Sequence, residues 1–136
     1  LDQNPQPERI VNREEQPLRL LLVDDETAFL ESAAKVFRRK GIQVLTATRG
    51  NKALDILAAN PVDVVILDVK MPGLDGIKTL ERITDSHPET KVILLTGHAT
   101  MESAARGMEY GAAGYVVKPA DLNELLDKAK KACGHD

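Results

Sequence analysis

Three apolar runs in this chain each lead straight into a carboxylate or a hydroxyl. Leu20-Leu21-Leu22-Val23 runs into Asp24-Asp25, Val64-Val65-Ile66-Leu67 into Asp68, and Val92-Ile93-Leu94-Leu95 into Thr96. A fourth run, Gly114-Tyr115-Val116-Val117, ends in Lys118. Runs this short, set between helix-like segments, read as strands buried on both faces of a parallel sheet. In an open α/β sheet the ligand crevice lies at the carboxyl ends of such strands. The pattern therefore predicts three acids, a hydroxyl and an ammonium at one edge of a sheet.

A chain of 136 residues is one domain by size and long enough to bury a core. With 43% hydrophobic and only 3% aromatic residues, that core must be built from Leu, Ile, Val and Ala, which suits a sheet covered by helices. The formal charge of −3 is too slight, and of the wrong sign, to make a nucleic-acid or membrane surface. Lys128, Lys130 and Lys131 crowd the last helix, where a solvated face and the helix dipole account for them. Cys133 is the single cysteine and has no internal partner. No apolar stretch approaches the ~20 residues of a membrane span. A reducing cytoplasm is the expected setting.

Residues 1–17 hold Asn4-Pro5, Gln6-Pro7 and Gln16-Pro17 among few apolar residues. They are expected to form an extended or disordered leader, with a domain over 18–133 and a short tail at 134–136. The chain opens on Leu1 rather than Met, which fits a piece of something longer and leaves open an effector domain after Asp136. Strands are predicted at about 18–23, 43–48, 62–67, 91–96 and 114–118, alternating with helices, which argues for βαβ units. Thr27 to Lys40 carries Phe29, Leu30, Ala33, Val36 and Phe37 at helical spacing, with Gly41 as its stop. Leu122, Leu125, Leu126, Ala129 and Cys133 repeat at the same spacing after an Asp121-Leu122-Asn123-Glu124 start that resembles a capping box. Cys133 is then a core contact rather than a reactive thiol. Weaker helices are placed at about 51–59, 76–86 and 101–110. The last contains Gly107, which marks either a helix made easy to move or a close packing contact.

This arrangement resembles the receiver domains of two-component response regulators. The likeness covers nearly all of Leu18 to Ala132. It rests on Asp24-Asp25 after the first strand, Asp68 within Leu67-Asp68-Val69-Lys70-Met71-Pro72-Gly73, Thr96-Gly97, and Lys118-Pro119. The resemblance implies a flavodoxin-like (βα)5 fold, a doubly wound five-stranded parallel sheet of order 2-1-3-4-5, with Asp68 as phosphoacceptor. It also implies a cis peptide before Pro119 that aims Lys118 into the site. Thr96 and Tyr115, three before the lysine, would be the switch pair. The output surface would be the fourth helix, fifth strand and fifth helix.

The chemistry also follows from the residue types. Carboxylates within ~4 Å repel by about 4 kcal/mol per pair at an effective dielectric of 20, so the cluster needs a cation or protons. Hard oxygen ligands select Mg²⁺. Asp25, Asp68 and the backbone carbonyl of Lys70 are the expected ligands, with Asp24 acting through a water. Asp68 is then the nucleophile on a phosphoryl donor. Lys118 is expected to pair with Asp68 at rest and with a phosphoryl oxygen afterwards, while Thr96 donates to another oxygen. Lys70 and His98 lie two residues after Asp68 and Thr96. Either could tune the lifetime of an acyl phosphate, or simply point into solvent.

Competing classes fare worse. A flavin site needs phosphate-binding donors after the first strand, where Asp24-Asp25-Glu26 would repel a phosphate. An aspartyl phosphatase needs a general acid two residues after its nucleophile, where Lys70 stands. The glycine patterns of dinucleotide and P-loop sites are absent. The remaining alternative is a pseudo-receiver, a protein-binding module that takes no phosphate. The expected partners are a sensor histidine kinase or histidine phosphotransfer protein and a downstream effector, with no membrane and no direct nucleic-acid contact. A phosphorylation-dependent homodimer is left open. The chain is expected to be a switch rather than a metabolic enzyme.

Overall fold

The structure, a computed structural model, describes residues 16–70, 76–97 and 101–135. Five strands alternate with five helices: β1 (Arg19–Val23), α1 (Thr27–Arg39), β2 (Gln43–Ala47), α2 (Gly50–Ala59), β3 (Val64–Asp68), α3 (Gly76–Ser86), β4 (Lys91–Thr96), α4 (Met101–Glu109), β5 (Gly114–Val117) and α5 (Leu122–Ala132). All neighbouring strands pair in parallel, in the order β2-β1-β3-β4-β5. The parallel sheet expected from the pattern, and the doubly wound order implied by the resemblance, are those observed.

The near-continuous apolar runs are explained by burial on both sides. Every residue of β3 is buried, and in β1 and β4 only the first residue is not, Arg19 being half-buried and Lys91 exposed. Alternate side chains feed two cores. Leu20, Leu22, Ile66, Ile93, Leu95 and Val116 pack on Leu30, Phe37, Leu125 and Ala129 of α1 and α5. Leu21, Val23, Val65, Leu67 and Leu94 pack on Ala53, Leu57, Leu80 and Ile83 of α2 and α3. Each fully buried Leu or Ile contributes about 1.5–3 kcal/mol of transfer free energy, which makes this sheet a stiff platform for its carboxyl edge.

The helix ends follow their sequence signals. Gly41, at φ +85°, closes α1: its N–H bonds to the Arg38 carbonyl and that of Ile42 to the Phe37 carbonyl. This is the paired pattern that a left-handed residue after a helix permits. Asp121 caps α5 by accepting from the amides of Asn123 and Glu124. Gly134 and His135 end that helix with the same paired pattern, their amides reaching the carbonyls of Lys131 and Lys130. Cys133 packs against the α1/α5 core, as the spacing predicts. At Gly107 the close-packing reading holds, because a Cβ there would collide with the buried Leu94 side chain.

One feature of the apolar runs was not anticipated. The third strand begins at Val64 rather than Val62, and Asp63 just before it turns its carboxylate on Arg19. It accepts from the Arg19 amide at 2.9 Å and from the guanidinium at 3.1 and 2.7 Å. A buried carboxylate with this many donors ties the amino ends of β1 and β3 together.

Candidate functional site: an acid cluster and a lysine at the carboxyl edge

Parallel pairing brings the ends of β1, β3, β4 and β5 to one edge, and each delivers the residue the sequence places there. Asp24 follows β1 and is fully buried, while the adjacent Asp25 is exposed. Asp68 and Thr96 are the last residues of their strands, and both are buried. One carboxylate oxygen from each of Asp24, Asp25 and Asp68 lies within 4.8 Å of the others.

Short hydrogen bonds hold these groups. Asp24 Oδ1 accepts from the Glu26 amide at 2.9 Å, and Asp68 Oδ1 from the Lys70 amide at 3.1 Å. The Thr96 hydroxyl donates to the Gly97 carbonyl at 3.1 Å. The Lys118 amide donates to the Thr96 carbonyl at 2.7 Å, joining the ends of β4 and β5. The Lys118-Pro119 peptide is cis, as the resemblance implies. Tyr115 is 37% exposed on the edge strand. The Lys70 side chain is exposed. Met71, Pro72, Gly73 and His98 lie outside the described residues.

Lys118 pairs with Asp68 as expected, but two other carboxylates hold it more closely. Its Nζ lies 2.9 Å from both Asp24 Oδ2 and Glu26 Oε1, and 3.6 Å from Asp68 Oδ2. The deepest carboxylate, that of Asp24, attracts the ammonium more closely than Asp68 does. Glu26 was not foreseen as its partner. The available signal was a Glu at a helix start, where the shorter Ser, Thr, Asp or Asn make better caps.

The electrostatics are those of a site short of positive charge. Burial and the neighbouring Asp24 push the Asp68 carboxyl up to about 6, against the Lys70 amide and Lys118, which favour its charged form. Burial alone would lower the Lys118 ammonium, but the carboxylates of Asp24, Glu26 and Asp68 outweigh it and raise it well above its ordinary value. Asp24 Oδ2, though close to that ammonium, has no aligned hydrogen-bond donor. That ammonium is shared with Glu26 and Asp68, so the buried Asp24 charge is only partly compensated. Two acids with oxygens ~5 Å apart repel by about 3 kcal/mol at an effective dielectric of 20. A hard divalent cation would relieve both, and the oxygen-only donor set fits one.

A doubly wound sheet with an acid cluster, a threonine and a lysine at its carboxyl edge defines the receiver class of signalling domains. The sequence matches the family model of the response regulator receiver domain over residues 20–130, and the chain belongs to that family of two-component signalling modules. Sporulation initiation phosphotransferase F of Bacillus subtilis is 34% identical over 83% of the chain and 91% of its own length. Regulatory protein AtoC of Escherichia coli is 39% identical, and the DNA-binding transcriptional regulator NtrC of Klebsiella pneumoniae is 32% identical. The match covers 79% and 84% of the chain but only 23% and 24% of those two regulators. A receiver domain protein from Clostridium thermocellum superposes with a TM-score of 0.81 at 34% identity, over 86% of this chain and 94% of its own. A CheY-like receiver domain protein from Methanospirillum hungatei superposes at 0.83 and 29%, over 88% and 95%. No described helix is long and apolar enough to cross a membrane.

Proposed function

We propose that the chain is a working receiver that accepts a phosphoryl group on Asp68 from a phosphohistidine of a sensor kinase or a histidine phosphotransfer protein. An Asp68 carboxylate oxygen attacks phosphorus in line. The P–N bond breaks, the imidazole leaves with its electron pair, and an acyl phosphate remains on Asp68. Asp25, Asp68 and the Lys70 carbonyl would hold Mg²⁺, with Asp24 reaching it through a water. Once bound, that ion supplies charge neutralisation and a fixed orientation for the phosphoryl oxygens. Lys118 engages one phosphoryl oxygen and Thr96 donates to another, and Tyr115 turns inward as Thr96 moves.

The surface formed by α4, β5 and α5 carries the signal to an effector in the cytoplasm. The chain catalyses only its own phosphorylation and hydrolysis. Lys70 and His98 set the lifetime of the phosphorylated form, Lys70 by impeding the attacking water. Timing hydrolysis in Lys70→Asn checks this, and an unchanged lifetime removes that role.

The observation that carries the proposal is the meeting of three carboxylates and one ammonium at the strand ends, with a buried Asp24 oxygen that lacks an aligned donor. Intact mass after incubation with Mg²⁺ and acetyl phosphate tests it. One added phosphoryl group, missing in Asp68→Asn and without metal, is the expected result. No addition, together with no Mg²⁺ binding, would favour the pseudo-receiver.

A further inference from the structure

Glu26 stands at the start of α1, where its side chain makes no capping hydrogen bond. The Lys118 ammonium donates to it instead, at 2.9 Å, from 92 residues away in sequence. An ammonium has three donors and no acceptor. Its two short contacts go to Asp24 and Glu26, and its long one, 3.6 Å, to Asp68. The Phe29 ring, 5.6 Å from the ammonium to its centroid, lies on the same α1 side of the site.

We propose that Glu26 is a positioning residue that holds Lys118 on the α1 side of the site at rest, so that phosphorylation must draw the lysine off Glu26. The proposal rests on Asp68 being the phosphoacceptor. Of the two short contacts, the one to Glu26 is built to give way. The Glu26 side chain is 65% exposed, whereas that of Asp24 is fully buried. Exposed pairs are weak and screened by salt, while a buried carboxylate cannot release its cation cheaply. Glu26 thereby sets how readily the lysine becomes available to an incoming anion. Its contribution falls in the range of an exposed ion pair, about two- to fivefold in an equilibrium constant.

The test uses beryllofluoride, a tetrahedral anion that caps a carboxylate as a phosphoryl group does, titrated with Mg²⁺ and followed by NMR. Glu26→Gln is expected to bind it about two- to fivefold more tightly than wild type. The gain should vanish in a Lys118→Met background and shrink at about 0.5 M salt, where the Debye length is roughly 4 Å. In the untreated chain, Glu26→Gln should speed hydrogen exchange of the Lys118 ammonium. Unchanged affinity, or the same gain without Lys118, overturns the proposal, the second because it shows a bulk charge effect. Unchanged ammonium exchange overturns the resting contact. If wild type takes no beryllofluoride at all, the phosphoacceptor reading fails and the latch with it, whereas binding with unchanged affinity sinks the latch alone.

Discussion

Asp68→Asn is expected to stabilise the metal-free chain, and to do so only above about pH 5. Asp68 is buried among other acids, and its carboxyl is raised from 3.8 to about 6. A folded state that holds this proton more tightly than the unfolded chain loses stability as pH rises from about 4 to about 6. Each tenfold difference in proton affinity is worth roughly 1.4 kcal/mol, so about two such factors amount to about 3 kcal/mol. Asparagine keeps the shape and cannot ionise. In urea denaturation followed by circular dichroism with EDTA present, wild type and variant should match near pH 4. They should diverge to at most about 3 kcal/mol in favour of the variant by pH 7. Saturating Mg²⁺ should reverse much of that gap, because a cation that binds only the folded acid cluster stabilises by mass action. A stability difference that stays constant from pH 4 to pH 7 would refute the reasoning, because it would place the cost outside the Asp68 charge.

Three further outcomes are expected in the same denaturation assay. A Cβ at Gly76 would lie 2.5 and 2.6 Å from the carbonyl oxygens of Val69 and Asp68. Since backbone cannot step aside, Gly76→Ala should cost more than about 2 kcal/mol. It should also shift the Asp68 backbone resonances in NMR spectra. Gly107→Ala meets only side-chain ends, that of Leu94 most closely and then those of Ile77 and Leu80, and it gains about 1 kcal/mol of helix propensity, so its net cost should stay below about 2 kcal/mol. Arg19→Met leaves the buried Asp63 carboxylate without its guanidinium, and about 3 kcal/mol should be lost.

The sequence displays this fold clearly because the sheet is buried on both faces. Val64 to Leu67 and Val92 to Leu95 are buried throughout, and such runs have few other folded uses. Once the strands are parallel, Asp24, Asp25, Asp68, Thr96 and Lys118 must share an edge, so the meeting of these residues needs no knowledge of side-chain packing. Their pairing within the edge is another matter. Lys118 reaches Asp24 and Glu26 before Asp68, and that choice depends on which carboxylate is deepest and on a helix start that brings in a side chain 92 positions away. The Asp63–Arg19 pair was hidden for the same reason: the predicted strand over about 62–67 runs through Asp63, and only the pairing of β1 with β3 sets it against Arg19.

The same distinction bears on how Lys118 is held at rest. Two short contacts and one long one leave the Lys118 ammonium satisfied at rest without committing it to Asp68. A lysine committed to Asp68 would have to break a buried pair before an anion could enter, at several kcal/mol. One shared with an exposed glutamate can give up that screened contact while it keeps the one to buried Asp24. The gate to the site is thus set by a residue one position beyond the acid pair, which a motif built on Asp24-Asp25 passes over.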